Sequence, residues 1–249
     1  MLSFFTIKAA EFTHTLNTLN GHYCLNSSTF TPNSTYHANL NRVLDDLVRD
    51  VGTNPDNGFN FASSKASSSN AVYGSVMCRG DVSKKECVDC VRNASIRMTQ
   101  LCRMTKVSFL WYDQRMLRYS DTNFTRKVEL KPLLAGYNEE NIDQSDEFMK
   151  VLNVTTDHAA REAARHPPRM YGHGDAKFSQ EKTLYTFAQC VPYLSKNDSW
   201  ECLRNATSSL LSLQEGKIGG RVLLPSCFVR FEIYPFYRSS SKGKVEPNS

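Results

Sequence analysis

Long hydrophobic runs are missing from this chain of 249 residues. No stretch approaches the roughly 18 consecutive apolar residues of a membrane helix, so no transmembrane segment is expected within it. The start, Met1-Leu2-Ser3-Phe4-Phe5-Thr6-Ile7-Lys8, also lacks the apolar core of about 7–15 residues that marks a secretory leader. Charge of one sign is not concentrated anywhere: the net +5 is spread along the chain, which argues against a nucleic-acid partner. There is no Ser/His/Asp pattern, no phosphate-cradling glycine loop and no nucleotide fingerprint, so no catalytic residues and no cofactor are expected. His158, His166 and His173 sit at a helix end and around Pro167-Pro168 without ligand spacing; solvated histidines, and no metal, are the expectation. Asp45-Asp46 and Glu139-Glu140 read as solvated charges rather than a catalytic pair. Trp111-Tyr112 and Tyr234-Pro235-Phe236-Tyr237 read as aromatics packed on strands before they read as binding platforms.

Two features are abundant instead. Asn-X-Ser/Thr occurs at Asn26, Asn33, Asn93, Asn123, Asn153, Asn197 and Asn205. Chance in such a composition gives about three of these glycosylation sequons. Together with eight cysteines, the excess points to a secretory history and an extracellular, apoplastic location, despite the missing leader signal. The segment 1–21 is left unassigned.

Self-similarity is the most informative property. Tyr73-Gly74-Ser75-Val76-Met77-Cys78 falls on Tyr185-Thr186-Phe187-Ala188-Gln189-Cys190 at an offset of 112. In the same register Cys90-Val91-Arg92-Asn93-Ala94-Ser95 falls on Cys202-Leu203-Arg204-Asn205-Ala206-Thr207. Met116-Leu117-Arg118-Tyr119 likewise falls on Phe228-Val229-Arg230-Phe231. Nearer the start the register slips by four, matching Leu40, Val43 and Leu44 to Phe148, Val151 and Leu152. The chain is therefore read as two copies of one domain, residues 22–130 and 131–238, with a flexible polar tail at 239–249.

Within copy one, Leu40, Val43, Leu44, Leu47 and Val51 form one apolar helix face. Gly52 to Gly58 ends that helix. Ala71 to Met77 reads as a strand, and Lys84 to Cys102 as a second helix with Ser83 and Glu86 in capping-box spacing. Val107–Trp111 and Met116–Ser120 read as a strand pair, matched in copy two by Arg221–Leu224 and Cys227–Tyr234. The expected fold class is α+β, each copy an antiparallel sheet packed with two helices. Cys78, Cys87 and Cys90 form C-X8-C-X2-C, with Cys87 and Cys90 on one helix face. A disulfide frame fits this spacing; a four-thiolate zinc site adding Cys102 is the other option, weakened because only one short C-X2-C occurs.

These motifs, with Cys24-Leu25-Asn26-Ser27-Ser28, Trp111-Tyr112-Asp113, Leu117-Arg118-Tyr119-Ser120 and Gly219-Gly220-Arg221 through Ser226-Cys227, resemble the ginkbilobin-homologous, or stress-antifungal, domain of plants. That domain occurs in tandem in cysteine-rich repeat secretory proteins and in the ectodomains of cysteine-rich receptor-like kinases. The resemblance implies disulfides Cys24–Cys102, Cys78–Cys87 and Cys202–Cys227. It also implies that Cys90 and Cys190 stay unpaired, because Arg115 and Ser199 stand where their partners would be; Gln214 replaces another family cysteine. A family member binds mannose through an Asn after the first cysteine, an Arg before the last and a Glu after it. Arg221 and Glu232 match the last two and are the candidate carbohydrate-binding residues; a surface ion pair is the plainer reading of them. The Asn has no assignable position in copy two. Copy one carries Phe109 and Ser120 instead, with Asn26 only loosely aligned, and no sugar site is expected there. The implied function is a non-enzymatic binding module in plant defence or extracellular signalling, its partners mannose-type glycans, a protein ligand or a co-receptor. A direct antifungal lectin and a structural protein–protein interaction module are the alternatives.

Overall fold

The computed structural model describes residues 2–7, 18–53, 58–64, 68–142, 145–165, 170–213 and 216–238. The expected tail at 239–249, the loop centre at 54–57 and His166 lie outside the described residues. The chain divides into two compact units, one of His14–Thr125 and one of Arg126–Ser249 together with Met1–Thr13.

The first unit runs β2 (Leu19–Cys24), α1 (Thr35–Val51), β3 (Phe59–Ser63), β4 (Tyr73–Cys78), α2 (Lys84–Leu101), β5 (Ser108–Tyr112) and β6 (Arg115–Ser120). Its five strands form one antiparallel sheet in the order β2-β5-β6-β4-β3. Helix α1 starts where Ser34 accepts a hydrogen bond from the His37 amide, and it buries Tyr36, Leu40, Val43, Leu44, Leu47 and Val51. Truncating one such leucine to alanine removes about 2–5 kcal/mol in a packed core. Helix α2 opens with the Ser83–Glu86 capping box and buries Cys87, Val91, Ala94 and Met98 against the same core, with Cys90 buried beside them on the helix.

The second unit repeats this plan: β7 (Leu133–Asn138), α3 (Ser145–Arg165), β8 (Tyr171–Lys177), β9 (Thr183–Cys190), α4 (Lys196–Leu213), β10 (Gly219–Leu223) and β11 (Cys227–Glu232). The strand order β7-β10-β11-β9-β8 is that of the first unit. Phe148, Val151 and Leu152 of α3 are buried in its core, where Leu40, Val43 and Leu44 sit in the first. One strand is additional. β1 (Leu2–Ile7) joins the edge of β7 in parallel, Leu2 opposite Leu133 through Ile7 opposite Asn138. It comes from outside the repeat and is not bound to its neighbour by a hairpin, so the second sheet is antiparallel in five strands and parallel at this edge.

Strands β3 and β8 carry no β-branched run for a sequence reading to find. In β8, Tyr171-Gly172-His173-Gly174-Asp175-Ala176-Lys177, the residues turned to α3 are the small ones. A Cβ at Gly172 would overlap the Ala159 carbonyl oxygen and the Ala163 amide nitrogen, so the helix backbone rides directly on the strand.

Candidate functional site

Arg221 and Glu232 meet on the sheet face turned away from the helices. Val222 of β10 and Ala135 of β7 point to the helical core, so by the alternation of a strand Arg221 points the other way. Across β10 and β11, Arg221 stands opposite Arg230, and Gly219 opposite Glu232. The Arg221 guanidinium lies 3.5 Å from Glu232 Oε1, with the two side chains 8% and 0% exposed. Arg230 holds the same oxygen more closely, through Nε and Nη2, both at 2.9 Å. The surface ion pair of the plainer reading is thus a buried one, because two cross-strand arginines need a counter-charge in a place that water does not reach.

The second carboxylate oxygen, Oε2, accepts a 3.0 Å hydrogen bond from Asn138 Nδ2 at the end of β7. This asparagine escaped the sequence reading because copy two has no first cysteine from which to count. The sheet register supplies the missing alignment. Tyr23 pairs with Phe109 in copy one, and Gly136 pairs with Arg221, the residue equivalent to Phe109, in copy two. Tyr137 therefore occupies the position of Cys24, and Asn138 is the residue after it. The weak sequence signal was the offset between the copies, read at the strand rather than at the cysteines. Gly219 makes room for the pair: a Cβ there would overlap both Glu232 Oε2 and Asn138 Nδ2.

The segment after β11 folds back over this cluster. Phe236 lies 4.2 Å under the Arg230 guanidinium, a cation–π contact in a desolvated setting, and Arg230 Nη2 donates to the Tyr234 hydroxyl at 3.3 Å. Burial raises the Tyr234 pKa and the Glu232 carboxylate adds to it, against the lowering effect of Arg230 and Arg221. Beside the cluster, Tyr171, Phe187 and Phe228 stack across β8, β9 and β11 at centroid spacings of 5.6 and 5.8 Å. His173 is half-buried in β8 with its ring 5.0 Å from Tyr237, not solvated as expected, because its strand position turns it into this aromatic layer. His158 lies half-buried within the body of α3 rather than at its end. Trp111 is buried and stacks on Phe109.

The cysteines occur as three bridges, Cys24–Cys102, Cys78–Cys87 and Cys202–Cys227, and two buried thiols outside any bridge, Cys90 and Cys190. Burial raises the Cys90 pKa, while the guanidinium of Arg115 opposes the shift. Arg115 is itself lowered by burial and stacks 3.7 Å from the Tyr112 ring. Burial pushes Cys190 up further, with its Sγ 3.4 Å from the Ser199 carbonyl oxygen. Asp46 pairs with Arg49 on α1 at 2.8 Å, while Asp45, Glu139 and Glu140 are exposed. All seven sequon asparagines are exposed. Among the described residues no three His, Cys, Asp or Glu side chains converge as metal ligands, and no helix is long and apolar enough to cross a membrane.

Two disulfide-framed copies of one α+β domain, each a five-stranded sheet under two helices, define a class of tandem repeat module. The chain belongs to the salt stress response/antifungal family, whose model matches residues 23–122 and 136–234. It is 34% identical over 215 residues to an antimicrobial ginkbilobin-2-like protein of Castanea crenata, covering 86% of this chain and 87% of that one. It is 32% identical to cysteine-rich repeat secretory protein 38 of Arabidopsis thaliana, covering 85% and 82%. It is 35% identical to cysteine-rich receptor-like protein kinase 25 of the same plant, covering 88% of this chain but 33% of the kinase; the chain thus spans about a third of the receptor kinases it matches. In fold it is similar to the tandem DUF26 ectodomain of the Arabidopsis thaliana protein PDLP8, with a TM-score of 0.73 at 22% identity over 88% of this chain and all of that one.

Proposed function

We propose that the chain is a non-enzymatic extracellular binding module of plant defence or signalling. Its candidate contact set for mannose-type glycans is Asn138, Arg221 and Glu232. One observation carries the glycan reading: the amide of Asn138, the carboxylate of Glu232 and the guanidinium of Arg221 converge on one sheet face, held by Gly219 and the register of β7, β10 and β11. A donor, an acceptor and a mixed amide in that spacing suit two vicinal hydroxyls, each of which both donates and accepts. A sugar hydroxyl would take over the place Arg230 holds on Oε1.

The test is binding of the full chain to oligomannose and mannan on a glycan array, beside the Asn138→Ala and Arg221→Met variants. Binding that both variants lose supports the reading; wild-type protein with no signal on any mannan overturns it. A protein-interaction module is the second reading, favoured by the burial of Glu232, which is 0% exposed. Folded protein that ignores every glycan is its expected result.

A further inference from the structure

The Cys24–Cys102 bridge forms part of the wall of a cleft of about 550 Å³ at the end of β2 and the C-terminus of α2. Around the bridge the cleft is lined by His22, Tyr23, Asn26, Gln100 and Arg103. No carboxylate is among them. Two side-chain amides, an imidazole and a guanidinium offer donors and acceptors in a neutral-to-basic setting, with a half-buried tyrosine ring beside them. This is hydroxyl-binding chemistry, and the volume suits one or two sugar residues. Phe109 and Ser120, the positions equivalent to Arg221 and Glu232, do not line it, although Tyr23 of its wall is the cross-strand neighbour of Phe109.

The cleft is open and its polar side chains are exposed. A free sugar would gain about 1 kcal/mol net per hydrogen bond there and would bind weakly. A tethered sugar does not face that limit, because attachment gives it an effective concentration on the order of millimolar. The tether is present in the wall itself. Asn26 opens the sequon Asn26-Ser27-Ser28, is exposed, and sits in a turn closed by the Ser28 amide on the Leu25 carbonyl at 3.1 Å.

We propose that Asn26 carries an N-linked glycan whose first residues seat in this cleft and shield the Cys24–Cys102 bridge from reductants. In the attachment step Asn26 Nδ2 bonds to the reducing-end carbon of a lipid-diphosphate-linked oligosaccharide. The carbon–oxygen bond to the diphosphate breaks, one amide proton leaves, and the lipid diphosphate is released. The shield matters at this bridge because its Cys24 half is only partly buried, whereas Cys202 and Cys227 are 0% and 1% exposed. Accessible disulfides exchange faster than enclosed ones.

The experiment uses the full chain secreted from plant cells. Enzymatic deglycosylation in heavy-oxygen water, followed by peptide mass mapping, reads occupancy at Asn26. Reduction by a phosphine, trapped by alkylation, then reads each bridge in the wild type, in Asn26→Gln and in Ser28→Ala, which removes the sequon but keeps the asparagine. The expected result is an occupied Asn26 and a Cys24–Cys102 bridge that opens roughly fivefold faster in both variants. Cys202–Cys227 should open at an unchanged rate, and Asn33→Gln should alter neither. An unmodified Asn26 in the secreted protein, or equal opening rates, overturns the proposal. So does protection of the Asn26→Gln bridge by free oligomannose at micromolar concentration, which would assign the cleft to an outside ligand.

Discussion

The two copies solve one packing problem in opposite ways. In copy one the buried Arg118 guanidinium is sandwiched between Phe109 at 4.6 Å and Phe124 at 3.7 Å. In copy two the equivalent Arg230 keeps one of those rings, Phe236 at 4.2 Å, but the other position holds Arg221. A second cation opposite the first is unfavourable by itself, and Ser120 of copy one is accordingly Glu232 in copy two, bound to both arginines. Position 107 is valine where 219 is glycine, since the serine of copy one needs no room and the carboxylate of copy two does. The polar node is thus an apolar clamp rebuilt around a charge triplet. The same rebuilding gives copy two the donor and acceptor set on which the glycan reading rests.

The comparison breaks most sharply at Glu232. Glu232→Gln leaves two buried guanidinium groups facing each other with their shared carboxylate removed, and should destabilise copy two by about 3–5 kcal/mol. Urea unfolding in a Trp111→Phe background, with Trp200 of α4 as reporter, measures it. Installing the copy-one solution, Arg221→Phe with Glu232→Ser, should recover most of the loss. A Glu232→Gln variant as stable as its parent would mean that the charges are not coupled.

The bridges differ in a complementary way. At the repeat offset, copy one keeps Cys78–Cys87 and has no disulfide at Cys90, while copy two keeps Cys202–Cys227 and has none at Cys190. Of these two bridges each copy has lost the one that the other retains, and copy two lacks the Cys24–Cys102 bridge as well, with Tyr137 and Gln214 at the equivalent positions. Ser199→Cys should therefore close a bridge to Cys190 and stabilise copy two by about 2–3 kcal/mol, from the loop entropy of some ten residues. Non-reducing peptide mapping and the same unfolding assay report on it; a variant that stays reduced would show that the strand end and α4 are not superposable on copy one.

How much of this was readable in advance varies by element. The amphipathic face of α1 and the capping box of α2 are local patterns, and the structure follows them closely. The duplication was legible because the cysteines hold one register. β8 was not, since glycines and an alanine face its helix and the usual alternation of large apolar residues is absent. Arg221 and Glu232 were found by their spacing from Cys227, yet their burial and their tie to Arg230 depend on cross-strand register, which a linear reading lacks. Asn138 was hidden for the same reason.

Gly219→Ala tests whether the node depends on that opening. The added methyl group would push Glu232 off Asn138, with an expected loss of about 1–3 kcal/mol, typical of overpacking. Val107→Gly, the reverse change in copy one, should cost no more than about 1 kcal/mol, from backbone entropy and lost contact. Equal effects at the two positions would count against a node built by the glycine.

The smallest effect separates the two thiols outside the bridges. Both are buried, but Arg115 partly offsets the burial at Cys90, whereas no cation is among the groups that shift Cys190. Native protein treated with iodoacetamide at pH 8 should label slowly at both, and at Cys90 before Cys190. Rapid labelling of Cys90 would contradict its buried setting, and a Cys190 that labels first would reverse the order the arginine implies. The same shift acts on stability with a definite sign. Below the unfolded thiol pKa of about 8.5, both states keep the Cys190 proton and no pH dependence arises. Above it the unfolded chain loses the proton while the folded chain retains it, so the unfolded state binds fewer protons and stability falls as pH rises. The slope contributed by this one thiol approaches about 1.4 kcal/mol per pH unit. Cys190→Ala should flatten the stability profile between about pH 8.5 and 10.5, and an unchanged slope would show that the thiol does not titrate differently in the fold.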